Sequence, residues 1–199
     1  MVLAKTIFKK TNRKSRQKAC LEQRRKVFVA MSGGVDSSVA AFLLKQATPN
    51  NFSKLFGRPT PKGFRGYNVT GVFMKCYNID GCAVADMEDA RRVANHLNIP
   101  FYVFDFEEEY KKQVVQYMID GYRKGLTPNP DVMCNKKIKF DLFLKESLKM
   151  DADLIATGHY VRLRRKSQLP ITNYQLLASK DANKDQSYFL WTLAQNQLK

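Results

Sequence analysis

Short apolar runs alternate with amphipathic stretches along most of this chain. Val27-Phe28-Val29-Ala30 is a β-rich run, Ser32-Gly33-Gly34 then turns the chain, and Val35, Val39, Phe42 and Leu43 follow at helical spacing. Residues 27–46 therefore read as strand, glycine turn, helix. Tyr67–Lys75 is a second strand, and Asp86–Leu97 a helix with Met87, Ala90, Val93, Ala94 and Leu97 on one side. Phe101–Phe106 is a third strand. Glu107–Lys124 opens with three acidic residues, which suits a helix N-terminus. The prolines of 127–130 predict a loop, Lys136–Met150 a helix and Leu154–Thr157 a fourth strand. This alternation predicts an α/β domain with an open parallel sheet, helices on both faces and right-handed crossovers. After His159 the pattern changes. Val161–Lys166 and Tyr174–Ser179 read as a hairpin, and Asp185–Leu198 as a last helix.

Two stretches interrupt the pattern. Residues 47–66 are rich in Pro, Gly and Asn and read as a surface insertion. Residues 1–26 hold ten Lys/Arg and one acid, Glu22, whereas the remaining chain holds 24 Lys/Arg and 17 acids. More than half of the net charge of +16 thus sits in a short leader. The leader suits an organelle transit peptide or a phosphate-binding RNA arm. The organisation expected is leader 1–26, catalytic domain 27–160, and 161–199 as the start of a second region.

Composition narrows the class. The 199 residues are 44% hydrophobic and 26% charged, ordinary for a globular chain. No apolar run is long enough to span a membrane. Four cysteines do not make a disulfide scaffold, and two histidines, His96 and His159, exclude a His-rich metal site. Cys76 and Cys82 lack a partner pair at zinc-finger spacing, so no zinc is expected. The basic excess points to a polyanionic partner, nucleic acid above all.

Four motifs carry chemistry. Met31-Ser32-Gly33-Gly34-Val35-Asp36-Ser37-Ser38 lies between the first strand and its helix. Its glycines let backbone N–H groups approach an anion, and the hydroxyls and helix dipole add to that. The lysine of a P-loop is absent, which suits pyrophosphate held by N–H and hydroxyl donors, with Asp36 available for Mg2+. The alternative is a plain turn with a helix N-cap. Thr127–Phe140 places Asp131 three residues before Cys134, in a Pro-stiffened loop ahead of a lysine-rich helix start. Cations and helix amides there would lower the thiol pKa and favour thiolate, with Asp131 as proton carrier. The alternative is a buried core cysteine. Ala156–Tyr160 ends a strand, where Gly158 permits close approach of a nucleotide and His159 could meet substrate. Lys184-Asp185-Gln186-Ser187 opens the last predicted helix, with Asp185 a candidate cap.

The first motif resembles the pyrophosphate loop of the ATP-pyrophosphatase (PP-loop) superfamily. Together, AMSGGVDSSVA, GVFMK, Cys82–Ala90, KGLTPNPDVMCNKKIKF, DLIATGHYVR and KDQSYFL resemble the tRNA-specific 2-thiouridylases over residues 27–193, leaving the leader and the insertion 47–66 outside. That resemblance implies an adenine nucleotide α-hydrolase-like fold and ATP-dependent thiolation of the wobble uridine of tRNA at C2. It implies that Ala30, Met31, Ser32, Gly33, Gly34, Val35, Asp36 and Ser37 bind ATP phosphates, and that Met74 and Gly158 touch adenosine. Asn129, Pro130 and Asp131 would face the target base, Cys134 would be the nucleophile, and His159, Lys184, Asp185 and Gln186 would contact tRNA. A persulfide donor protein is the implied sulfur source, and mitochondrial members of the family favour a mitochondrial address. The family's second, persulfide-bearing cysteine lies beyond the KDQ segment, and Cys20, Cys76 and Cys82 do not occupy its place. The expectation is that ATP binding survives in this chain and complete sulfur transfer does not. Two other readings are another PP-loop adenylating enzyme and a non-catalytic tRNA- or ATP-binding remnant.

Overall fold

The computed structural model describes residues 24–77, 81–168, 171–181 and 183–198; the side chains of Cys82 and of 166–172 lie outside the description. The predicted leader therefore falls almost wholly outside it. The strands are β1 (Arg25–Ala30), β2 (Tyr67–Lys75), β3 (Phe101–Asp105) and β4 (Leu154–Ala156), in the sheet order β3-β2-β1-β4. All three pairings are parallel. The described chain thus enters the sheet at its middle, runs outward to β3, and returns to the other side of β1. The strand order reverses between β1 and β4, and at such a switch point the loops leaving the two strands diverge and open a crevice.

Alternation along β1 explains the two cores. Val27, Val29 and Met31 point into one cluster with Ala41, Leu44, Ala90 and Ala94. Phe28 and Ala30 point into the other with Val114, Ile138, Phe140 and Phe143. A strand buried on both faces needs an apolar residue at every position, and this one has that from Val27 to Met31. Helices α1 (Val35–Gln46) and α3 (Cys82–His96) cover the first face. The second is covered by α4, spanning 107–123, and α5, spanning 130–149. Both of these contain a π-helical stretch, Lys111–Val115 in α4 and Asn135–Leu142 in α5. The predicted doubly covered sheet is therefore present.

Four expectations need correction. In α1 the buried residues are Ser37, Ala40, Ala41 and Leu44, whereas Val35, Val39 and Phe42 are exposed. The small residues face inward because the sheet lies close, and the apparent apolar stripe faces out. The insertion 47–66 is not all surface. It contains α2 (Phe52–Phe56), and Phe52 is fully buried with its ring 4.8 Å from Phe56 and 4.6 Å from Phe64. Helix α5 starts at Pro130 rather than at Lys136. Pro suits a first helical position because its missing N–H would have no partner there, and the Asn129 side chain accepts from the Val132 amide at 3.0 Å.

The last predicted helix does not form. A 3-10 turn, Ser187–Leu190, is its only helical part. Long-range bonds hold the rest away from a helix. Gln195 pairs with the backbone of Tyr174, accepting from its N–H at 2.7 Å and donating to its carbonyl at 2.9 Å, and Gln197 Nε2 donates to the Phe140 carbonyl at 2.7 Å. A hairpin forms, but its strands run closer together along the chain than predicted, with β5 (Arg162–Gln168) antiparallel to β6 (Ile171–Leu177) and Arg162 opposite Leu177.

Candidate functional site

The crevice at the β1/β4 switch point is lined by the loop after each strand. Residues 31–34 leave β1 and enter α1; residues 157–161 leave β4. Gly33 has φ +80°, and a Cβ there would lie 2.6 Å from the Asp86 carbonyl oxygen of α3. Only glycine fits that turn on both counts. The hydroxyls then lock it. Ser37 Oγ donates to the Gly34 carbonyl at 3.0 Å and accepts from the Ser32 amide at 3.1 Å. Ser38 Oγ donates to the same carbonyl at 2.8 Å. The first N–H groups of α1 have no partner within the helix, as at any helix N-terminus, and the helix dipole there favours an anion. A loop already closed by its own hydrogen bonds beside a helix N-terminus can bind an anion without first paying to order itself.

Gly158 serves this loop directly. A Cβ at Gly158 would lie 2.7 Å from the Ser37 nitrogen and 2.8 Å from the Asp36 carbonyl carbon. The close approach is thus of chain to chain, the β4 loop seating the first turn of α1. Met74, the other residue matched to adenosine, is half-buried near the end of β2 and packs on the second cluster.

Asp36 is paired, and its partner was not foreseen. Lys184 Nζ lies 2.7 Å from Asp36 Oδ2 across 148 residues of chain, and 4.5 Å from the centre of the Tyr160 ring. The Tyr160 hydroxyl also favours the ionised form of Asp36. The Lys184 hydrogen bond holds the Asp36 carboxyl below its usual pKa, opposed by its partial burial. Asp36 stays ionised and keeps lone pairs for a further cation. One carboxylate plus substrate phosphates is an ordinary Mg2+ ligand set, so the residues fit that ion. Among the described residues no group of three or more His, Cys, Asp or Glu gathers.

The remaining KDQ residues have internal roles. Asp185 Oδ1 accepts from the Ser179 amide at 2.9 Å, and its Oδ2 accepts from Ser187 Oγ at 2.7 Å. Gln186 Oε1 accepts from the Tyr160 amide at 2.8 Å, while the Gln186 amide donates to the Tyr160 carbonyl at 2.9 Å. These bonds fix the segment against the β4 loop. His159 is turned inward, 9% exposed, with Nδ1 2.8 Å from Thr157 Oγ1 and its ring beside Phe140. Burial, with a smaller push from Lys139, drives its pKa down to about 3, so it is neutral. His159 is thus a packed residue in the seam between β4 and α5.

The thiol differs from expectation. Cys134 closes the first α-helical piece of α5, immediately before the π-helical stretch, and is half-buried. Burial raises its pKa above the ordinary thiol value; Lys139 pulls the other way, and Asp131 adds to the rise. The predicted lowering fails because helix α5 begins at Pro130, four residues before Cys134. Cys134 thus lies past the first helix amides and is packed against the second core. Cys76, just after β2, packs on the same cluster, and burial raises it to about 12, with Cys134 close enough to add to that. Tyr110 packs on the same cluster and is also pushed to about 12, chiefly by burial and then by Cys134, Cys76 and Asp131. Asp131 itself is exposed in the first turn of α5. Asn135, next to Cys134, is 3% exposed and donates to the Phe189 carbonyl at 3.2 Å, tying α5 to the 3-10 turn.

Known proteins match this chain along most of its length. The family model described as "tRNA methyl transferase HUP domain" matches residues 25–56 and 63–199. The gap covers only six residues of the 47–66 segment, most of which therefore lies inside the match. The tRNA-specific 2-thiouridylase MnmA of Flavobacterium johnsoniae is 46% identical over 184 residues, covering 87% of this chain and 41% of that protein. MnmA 1 of Geobacillus kaustophilus is 48% identical over 181 residues, covering 88% and 43%. The chain spans about two fifths of the length of these relatives. A solved NMN synthetase from Francisella tularensis is similar over 69% of this chain and 47% of its own, at 18% identity and a TM-score of 0.39.

Proposed function

This chain belongs to the tRNA methyl transferase HUP-domain family, and from that premise we propose that it carries the ATP-dependent half of tRNA 2-thiouridine synthesis. The observation that carries the reading is the placement of two chemistries on one sheet edge. An anion loop leaves β1, and Cys134 packs beside the residues that follow β2. A plain nucleotide binder needs no such cysteine. A methyl transfer needs neither ATP cleavage nor a thiol in that place.

In this reading Ala30–Ser37 hold the phosphates of ATP, and Met74 and Gly158 border the adenosine. Asp36 would hold Mg2+, which when bound would neutralise phosphate charge. Uridine O2 attacks the α-phosphorus and pyrophosphate leaves, so that C2 then carries AMP as a leaving group. Asn129, Pro130 and Asp131 position the base at the start of α5, and Asp131 carries the proton. A protein-borne persulfide supplies sulfur. Cys134 attacks it, forming a disulfide and freeing the outer sulfur, which displaces AMP from C2. Because burial protonates Cys134, its thiolate is made during the reaction rather than stored. Asp185 and Gln186 hold the tRNA-facing segment in place, and the arginines of β5 and the wider basic surface supply phosphate contacts.

The experiment mixes the chain with ATP and unmodified tRNA and measures pyrophosphate release and digested nucleosides. Pyrophosphate release that depends on tRNA is the expected result. Release without tRNA would assign a small-molecule adenylating enzyme, and S-adenosylmethionine-dependent methylation of the tRNA would refute the reading. The basic leader further supports a mitochondrial address, although the named relatives are bacterial. Import of a fluorescent fusion of residues 1–26 tests it.

A further inference from the structure

The anion loop has no lysine of its own, yet a lysine stands over it. Lys184 comes from the far end of the described chain and reaches Asp36, the second residue of α1, at 2.7 Å. It is not a free surface side chain. The residues on its C-terminal side are pinned, Asp185 by the Ser179 and Ser187 bonds and Gln186 by two bonds to the Tyr160 backbone. The Tyr160 ring lies 4.5 Å from the ammonium and confines it from another side. The Lys184 side chain nevertheless keeps 45% of its surface exposed, and an ammonium has three donors, of which Asp36 uses one.

We infer that Lys184 is the phosphate-binding cation of the 31–37 loop, taking the β- and γ-phosphate oxygens of a nucleoside triphosphate. This rests on the loop being the nucleotide site. The arrangement solves two problems together. Without ligand, Asp36 would be a lone carboxylate at an anion site, repelling phosphate; paired, it does not. With ligand, the ammonium is already beside the helix N-terminus and need only share or exchange its carboxylate for phosphate. A lysine supplied from the KDQ segment would also make nucleotide binding sensitive to how that segment packs on the β4 loop. The resemblance to 2-thiouridylases implied a tRNA contact for Lys184. The geometry points to ATP instead.

The test is titration calorimetry of ATP, inorganic pyrophosphate and AMP against the wild-type chain, Lys184→Met and Lys184→Arg, at one fixed salt concentration. Lys184→Met should weaken ATP and pyrophosphate by about ten- to a hundredfold, as expected for one charge-assisted bond, with AMP little changed. Lys184→Arg should restore much of the loss. Equal ATP affinity in wild type and Lys184→Met overturns the inference. So does a variant that loses AMP as strongly as ATP, because the defect is then not in the phosphate chain. A wild-type chain that binds neither ATP nor pyrophosphate overturns the loop reading and this inference together.

Discussion

The two chemical regions on the sheet edge are built on opposite principles. The 31–37 loop is polar, half-exposed and already organised: hydroxyl bonds close it, Gly33 and Gly158 seat it, and a lysine balances its carboxylate. The Cys134 region is apolar and packed, with thiol and phenol both held protonated by burial. A binding site gains from being formed before its ligand arrives, because affinity is not then spent on ordering the loop. A nucleophilic thiol that is protonated at rest is spared oxidation and stray alkylation. The loop is organised in advance, and the thiol is packed away.

The largest effect should come from Gly158→Ala. The new methyl would strike backbone atoms of Asp36 and Ser37, which cannot rotate away. We expect a loss of about 1–3 kcal/mol in unfolding free energy by urea, as for overpacking elsewhere, and at least about tenfold weaker ATP binding. A variant with unchanged ATP affinity would show that the β4 loop does not seat the anion loop. Next is His159, in the seam between the two regions. Its folded pKa, about 3, lies below its unfolded value near 6.5, so the unfolded chain binds the extra proton between those limits. The stability that neutral His159 contributes is complete above pH 6.5 and drains away as pH falls towards 3. The slope is at most about 1.4 kcal/mol per pH unit. Urea unfolding from pH 7 to 4 should be flatter in His159→Gln; parallel curves would mean that the ring is not buried neutral.

The smallest effect is kinetic and concerns Cys134. Its alkylation by iodoacetamide, read by peptide mass, should be slower than that of a small free thiol at pH 7.5, and the rate should still climb above pH 9. A rate that levels off below pH 8 would restore the expectation of a stored thiolate.

Much of this was legible in the residues. The β1 run, the glycine turn and the positions of all four strands follow from apolar runs and punctuation, because a parallel central sheet is buried on both faces and writes itself plainly. Helix α1 was legible as a helix but not in its orientation. Val35, Val39 and Phe42 make the better stripe on paper, yet a sheet close to the helix axis selects Ala40 and Ala41. Asn129-Pro130 is an N-cap followed by a first-turn proline, and reading the prolines only as helix breakers moved the start of α5 and with it the environment of Cys134. The last helix failed because Gln195 and Gln197 bond across the fold, which no local pattern records. The Lys184–Asp36 pair spans 148 residues and was equally out of reach. Its only signal was the missing lysine in the anion loop.

The account rests on uridine activation and sulfur delivery being separate parts of one edge. The measurement that tests this most directly is tRNA-dependent pyrophosphate release by the Cys134→Ala chain in a single turnover. The account predicts release at a rate close to wild type, because the loop, Asp36 and Lys184 remain whole while the thiol is gone. If wild type releases pyrophosphate and Cys134→Ala does not, the thiol takes part in activation, and the division between the two regions is wrong.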